Sequence, residues 1–498
     1  MMESPVKQFF LVFILFAAEI TGCSVTQESL IVPPKRNVPR NIMVNVKAVL
    51  ADVSHDPIGI NVNFYMDGEG HFSPKRSTLA ALKAMGVKWL RYPGGEKSDL
   101  TLWSVPPYDS PRPTMARTGE GCVTDRSTVF ENYATFKYDV LDFDEFIQMC
   151  REVGAEPIIV VAADGYLTDY PEHCTFTDRE TFIETAAAWV RYSNITKGYN
   201  IKYWMIGNET WHPHNENSTP QIYAQDVIDF SKAMKAVDPS IKIIPNGSSF
   251  EWWETVLAAA VDYVDAICLS NYPIWDYKEG YKTYRDTTPD LIGRIHGGAR
   301  AIEKFVPAER KEGFKIIVAE YGPFDWAGTW PHINDMGHAL ICFEMAGQQL
   351  NHPKVESSQL WNTRWIWTLD HENQIWDALD KEGNFNPTGY TVAIWGNFLA
   401  SKMVYTTSTI RIRTFASYDA ETKQLYVYII NKSEGEEALI LDIEGASIDS
   451  VVQRWELVGE EPSDTDPTWQ QNESPTGSDL LSLVVPGTSI TVIEYKLK

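Results

Sequence analysis

The 498-residue chain predicts an α/β fold, a (β/α)8 TIM barrel followed by a C-terminal antiparallel β-sandwich. Three observations predict it. Eight short runs rich in Val, Ile and Trp alternate with amphipathic helical patterns, as a closed parallel barrel requires. Near residue 403 the character changes to short strand-like runs punctuated by Gly, Asn, Ser and Pro. Several polar residues stand at the ends of the barrel runs, on the rim where such barrels carry their active sites.

The elements follow in order. Lys7 precedes an apolar run at 9–18, too short for a stable membrane span, so residues 1–23 read as a signal segment. Ile20-Thr21-Gly22-Cys23 resembles a bacterial lipobox, which implies a lipidated Cys23 and a secreted lipoprotein of the outer membrane, periplasm or cell surface. Membrane contact is expected only through that lipid. Residues 24–41, with Pro33, Pro34 and Pro39, read as a tether. Residues 42–55 are expected to lend a strand, at 42–50, to the C-terminal sandwich. The barrel is assigned to 56–403. Its strands are expected at 58–64, 87–91, 157–163, 201–207, 241–245, 266–270, 314–320 and 357–362. Between them, Phe143, Phe146, Ile147 and Cys150 keep the i, i+3, i+4, i+7 spacing of a helix face. Ser73-Pro74 and Asn386-Pro387 fit N-cap and first-turn positions, and Thr177 with Glu180 fits a capping box. Gly86 and Gly154 fit helix C-termini. The last helix is expected to end near Met403. Residues 404–498 form the sandwich, with strands at 410–415, 425–430, 439–443, 451–457 and 489–496.

The formal charge of −24, from 43 basic and 67 acidic residues, excludes nucleic acid as a natural partner, since phosphate binding depends on cationic side chains. Seventeen Trp and twenty-three Tyr suit stacking on sugar rings. Apart from Cys23, five cysteines remain. An odd number argues against a full disulfide framework. Cys150, Cys268 and Cys342 fall in helix and strand patterns as buried thiols, whereas Cys122 and Cys174 lie in polar loops and are able to pair. No Cys/His cluster has zinc spacing and no Gly-rich phosphate loop occurs, so neither metal nor cofactor is expected.

Two motifs carry the chemistry. Trp204-Met205-Ile206-Gly207-Asn208-Glu209 and Ile316-Ile317-Val318-Ala319-Glu320-Tyr321-Gly322 each bring an apolar strand to a glutamate. Two carboxylates on facing strand tips are what double displacement at a sugar needs, one protonating the leaving oxygen and one attacking the anomeric carbon. Counting strands places Arg91 on strand two, Glu209 on four, Tyr272 after six, Glu320 on seven and Trp361 near the end of eight. Long aromatic rim loops add Trp103, Tyr108, Trp211, Trp275, Tyr281, Trp326, Trp330 and Trp376.

With Leu90-Arg91-Tyr92-Pro93-Gly94-Gly95, these motifs resemble the clan A glycoside hydrolases, most of all the family 51 α-L-arabinofuranosidases, over about residues 42 to 498. The resemblance implies a retaining hydrolase of cell-wall polysaccharide or oligosaccharide, with Glu209 as acid/base and Glu320 as nucleophile. Arg91 and Tyr272 are then placed to donate to Glu320, Asn208 to hold the sugar 2-hydroxyl, and Trp211, Trp275 and Trp361 to bind sugar. Glu209 should hold its proton through burial and the second carboxylate. Tyr321-Gly322, and a sixth strand that ends Ser270-Asn271-Tyr272 without His, depart from the family 51 pattern. An endo-acting β-glycanase or galactanase (agarase-like) of the same clan is therefore a second expectation. A non-catalytic surface glycan-binding lipoprotein is a third.

Overall fold

Barrel strands one to eight are Ile58–Asn61, Trp89–Tyr92, Glu156–Val161, Tyr203–Ile206, Lys242–Pro245, Ala266–Asn271, Lys315–Tyr321 and Val355–Leu360. In this computed structural model they pair in parallel in the order five-four-three-two-one-eight-seven-six, and a parallel bridge from Asn246 to Cys268 closes the ring. The described residues are 39–68, 75–118, 130–132, 135–136, 139–167, 175–212, 217–272, 277–325, 327–365, 374–472 and 480–498. Cys23 and the signal segment, Cys122, Cys174, Trp275 and Trp326 lie outside them.

Each strand alternates between two cores. Trp89, Ile158, Val160, Tyr203, Met205, Ile244, Cys268, Ile317 and Ala319 pack on one another along the barrel axis. Their neighbours Leu90, Ile159, Val161, Trp204, Ile206, Ile243, Ile267, Ile316 and Val318 join the larger core with the helices. This period-2 division is what a closed sheet covered by helices imposes. The covering helices are Thr78–Met85, Phe143–Val153, Arg179–Val190, Pro220–Val237, Phe250–Ala260, Gly293–Phe305, Met336–Leu350 and Pro387–Asn397. Cys150, Cys268 and Cys342 are buried free thiols.

Several boundaries differ from those read in the sequence. Ser77, not Ser73, caps the first helix by accepting from Ala80 N, and Asp178, not Thr177, caps the helix that begins at Arg179. Thr177 instead donates to the Ala116 carbonyl. Gly86 and Gly154 do end their helices, both left-handed, and Asn386-Pro387 does open the last one. That last helix stops at Asn397, and Met403 already lies in the strand Lys402–Thr406, whose apolar run serves a sheet equally well.

The C-terminal sheet is mixed rather than antiparallel. Its order is Thr468–Asn472, Ile448–Val458, Ser489–Leu497, Gln424–Asn431, Ile412–Asp419, Lys402–Thr406, Arg40–Asp52, Glu437–Glu444 and Ser482–Val485. The N-terminal strand Arg40–Asp52 runs antiparallel to Lys402–Thr406 and parallel to Glu437–Glu444. It starts at Arg40, inside the expected tether. Ile42, Val44 and Val46 enter a core with Val404, Leu425, Val427, Leu441 and Ile493. From the same sheet Phe415, Tyr428, Leu457 and Val492 join the barrel's outer core, and Arg413 reaches the buried Glu344 at 2.6 Å.

Candidate active site

The two glutamates reach the barrel mouth by different backbone devices. On strand seven Ala319 already faces the axis, so strict alternation would turn Glu320 outward among the helices. A bulge prevents this: Leu269 pairs with Val318, but Ser270 pairs with Glu320, one residue further on. The extra residue re-aims the side chain, as bulges beside active sites do, and Tyr321 takes the outward position instead. Strand four ends at Ile206, so Glu209 stands beyond the strand rather than at its last residue. There Gly207 (φ 68°) and Glu209 (φ 46°) are left-handed, a conformation a non-glycine residue holds only under local constraint.

That constraint is visible. Asn208 N donates to Asp99 Oδ2 at 2.9 Å, Thr210 N donates to Asn246 Oδ1 at 2.9 Å, and Asn246 Nδ2 donates to the Ile206 carbonyl at 2.9 Å. Asp99 also accepts from Ala163 N at 3.3 Å, and Asp164 hydrogen-bonds both Asp99 and Thr210. Asp99 thus spends both oxygens on backbone N–H groups, while burial first, and the Asp164 charge second, push its carboxyl well above the usual carboxylate range. Burial pushes Asp164 up to about 6.

Glu320 is held as a carboxylate. Arg91 Nη1 donates to its Oε1 at 2.9 Å and Tyr272 Oη to its Oε2 at 2.8 Å. Arg91 is fully buried and donates in addition to Asn61 Oδ1 at 2.8 Å and Asn208 Oδ1 at 2.5 Å. Asn61 Nδ2 is fixed in turn by the Ala319 and Leu360 carbonyls. Glu209 sits in a contrasting setting. Burial first, and the Glu320 charge second, push its carboxyl up to about 7, against a hydrogen bond from Ser270 and the positive charge of Arg294.

A cleft of about 480 Å³ lies over the pair, lined by Gly95, Glu96, Asn208, Glu209, Trp211, His212, Tyr272, Arg294, Glu320, Phe324, Trp361, Trp365 and Trp376. The structure therefore brings Asn208, Glu209, Trp211, Tyr272, Glu320 and Trp361 to one cleft, with Arg91 beneath its floor. Trp275 lies outside the described residues. Of the other rim aromatics among the described residues, only Trp376 lines the cleft. Trp103 and Tyr108 stack together against Trp189 and Thr185, and Trp330 is buried with its ring 3.9 Å from that of His338. Phe324 and Trp365 were missed. Phe324 stacks on Tyr272 at 4.9 Å and 12°, and Trp365 meets Trp361 edge-on at 5.5 Å. The buried Lys97 places its ammonium 4.2 Å from the Trp365 ring centroid and 4.8 Å from that of Trp361. Gly95 is required here: a Cβ would lie 2.2 Å from the Trp361 ring, and φ is 60°. Behind this wall, Arg364 and Asp67 form a fully buried ion pair at 3.0 Å that ties loop eight to loop one. Among the described residues no cluster of His, Cys, Asp and Glu could hold a metal ion.

A family model described as "Alpha-L-arabinofuranosidase 1 domain" matches residues 81–288. Alpha-L-arabinofuranosidase C of Emericella nidulans is 32% identical over 179 residues, covering 34% of this chain and 32% of that protein. The intracellular exo-alpha-(1->5)-L-arabinofuranosidase of Acetivibrio thermocellus is 26% identical over 278 residues, 52% of this chain and 50% of that protein. The matches thus span a third to a half of these relatives. The structure of α-L-arabinofuranosidase from Thermotoga maritima in complex with arabinose superposes with a TM-score of 0.67 at 21% identity, over 91% of this chain and 99% of that one. A family 51 α-L-arabinofuranosidase from Bifidobacterium longum superposes at 0.69 and 17% identity, over 92% and 100%. At these identities the shared property is the fold, a TIM barrel with its C-terminal sheet domain.

Proposed function

We infer that this chain, similar in sequence and fold to the family 51 α-L-arabinofuranosidases, is a retaining glycoside hydrolase that removes arabinofuranosyl-type residues from cell-wall polysaccharide or oligosaccharide. The observation that carries the reading is the pair of carboxyls at one cleft in opposed settings. Glu320 is clamped as an anion by Arg91 and Tyr272, whereas Glu209 is kept protonated to about pH 7.

The steps follow from those settings. Glu209 gives its proton to the glycosidic oxygen as a Glu320 oxygen attacks the anomeric carbon, and the leaving sugar departs as an alcohol. Forming the ester removes the Glu320 charge, so the acidity of Glu209 returns toward that of an ordinary carboxyl. It is then a base, and takes a proton from the water that opens the ester. Asn208, oriented by Arg91, accompanies the sugar hydroxyl beside the reacting carbon. Aromatic faces supply apolar contact for the ring C–H groups.

Proton NMR of the first product from wild-type enzyme should show the anomer retained. Glu320→Ala should lose turnover, and with azide should give a glycosyl azide of inverted configuration, because only one displacement remains. Release of the inverted anomer by wild type would make Glu320 a base for water and overturn the assignment. The lipobox-like Ile20-Thr21-Gly22-Cys23 supports lipidation at Cys23 and a cell-surface or periplasmic lipoprotein. Labelling with radioactive palmitate that survives Cys23→Ala would overturn that part alone.

A further inference from the structure

The cleft holds a cation close to Glu209. On the hydrolase reading, Glu209 protonates the leaving oxygen, so the side chains gathered round Glu209 surround the leaving group. They include Trp211, His212 and Arg294. Arg294 comes from the first turn of the helix Gly293–Phe305, after strand six. Its Nη1 donates to the Ser270 carbonyl at 3.0 Å, and its guanidinium centre stands 5.0 Å from the Trp211 ring centroid. It is half-buried and lines the cleft. From the loop after strand two, across the barrel, the exposed Glu96 lines the same cleft.

We propose that Trp211 and Arg294 form a leaving-group subsite for a sugar carrying an anionic substituent, a uronate carboxylate or a sulfate ester. The guanidinium fork donates in the planar geometry that carboxylate and sulfate oxygens accept. An indole face beside it gives the same sugar an apolar surface. The cation is set where it meets substrate in the protonation state that works: Glu209 carries its proton when substrate binds, so its charge does not cancel that of Arg294. Partial burial strengthens such a contact over one in open water. The formal charge of −24 opposes an acidic glycan only at range, because salt confines it to about 8 Å in physiological solution. Recognition is therefore local to Arg294.

The test uses three aryl α-L-arabinofuranosides as probes, with 4-nitrophenyl, 3-carboxy-4-nitrophenyl and 3-sulfo-4-nitrophenyl leaving groups. Wild type should cleave one anionic member with kcat/KM about tenfold above the neutral one, the size expected of a charge-assisted contact. The preferred member separates carboxylate from sulfate, and added NaCl should reduce the preference. In Arg294→Gln the ratio should fall to about one or below, and Arg294→Lys, which keeps a charge, should retain part of it. Equal wild-type kcat/KM for charged and neutral members, or a ratio unchanged in Arg294→Gln, overturns the subsite while leaving the hydrolase reading intact. No turnover of any of the three overturns the arabinofuranosidase reading, and the subsite with it.

Discussion

Glu209 combines a left-handed backbone, a cleft-facing carboxyl and a raised affinity for its proton. The sign of its pH effect follows directly. The protonated form is the acid, so activity is present below about 7 and is lost as pH rises through that value. A plot of kcat/KM against pH on a substrate with a poor leaving group should show an alkaline limb near 7. Glu209→Gln should lower turnover of such a substrate at least a hundredfold, order of magnitude, yet spare activated aryl glycosides, which need little protonation. Equal loss on both substrates would remove Glu209 from the acid role. At Gly95 the expected effect is steric. Gly95→Ala forces a methyl into the Trp361 ring and a left-handed φ on alanine, which costs about 1–2 kcal/mol for the backbone alone. It should raise KM more than it lowers kcat, and steady-state kinetics with a melting curve check both.

The strands, as elements, were legible because β-branched runs of four to seven residues bounded by Gly and Pro have few alternatives in an α/β chain. All eight barrel runs fall on observed strands. The devices that aim the two glutamates were not legible. A bulge at Val318–Glu320 leaves no compositional mark, and the left-handed turn at Glu209 uses a residue type that disfavours it. Arg294, Glu96, Phe324 and Trp365 were missed because each comes from a loop or a helix start, where periodicity says nothing about direction. Thr468–Asn472 was missed because an exposed edge strand needs no apolar alternation. The Asp99–Asp164 pair was hidden for a related reason: only the fold shows that loops two and three converge behind Asn208. Asp99→Asn should lower kcat about tenfold, because an amide offers one acceptor oxygen in place of two and turns a donor toward the Asn208 or Ala163 N–H. Its alkaline limb should move, whereas a variant that is merely less stable would melt lower with the limb unchanged.

At the scale of the whole molecule, the N-terminal strand makes the C-terminal sheet incomplete without its distant partner. Residues 398–498 expressed alone should expose the edges of Lys402–Thr406 and Glu437–Glu444, and lose the burial of Ile42, Val44 and Val46, worth about 1.5–3 kcal/mol each. Size exclusion should show aggregates, and fusing residues 39–53 ahead of the fragment should recover a cooperative melt. A soluble, cooperatively melting fragment without that strand would show the pairing to be dispensable. The same pairing sets a schedule for synthesis. The strand leaves the ribosome about 350 residues before Lys402, on the order of twenty to seventy seconds at ordinary elongation rates. Throughout that interval its apolar face has no partner, so the nascent chain must be shielded until the barrel is translated. Any product truncated within the barrel carries that unpaired strand, a hydrophobic mark of incompleteness at the opposite end of the chain from the break.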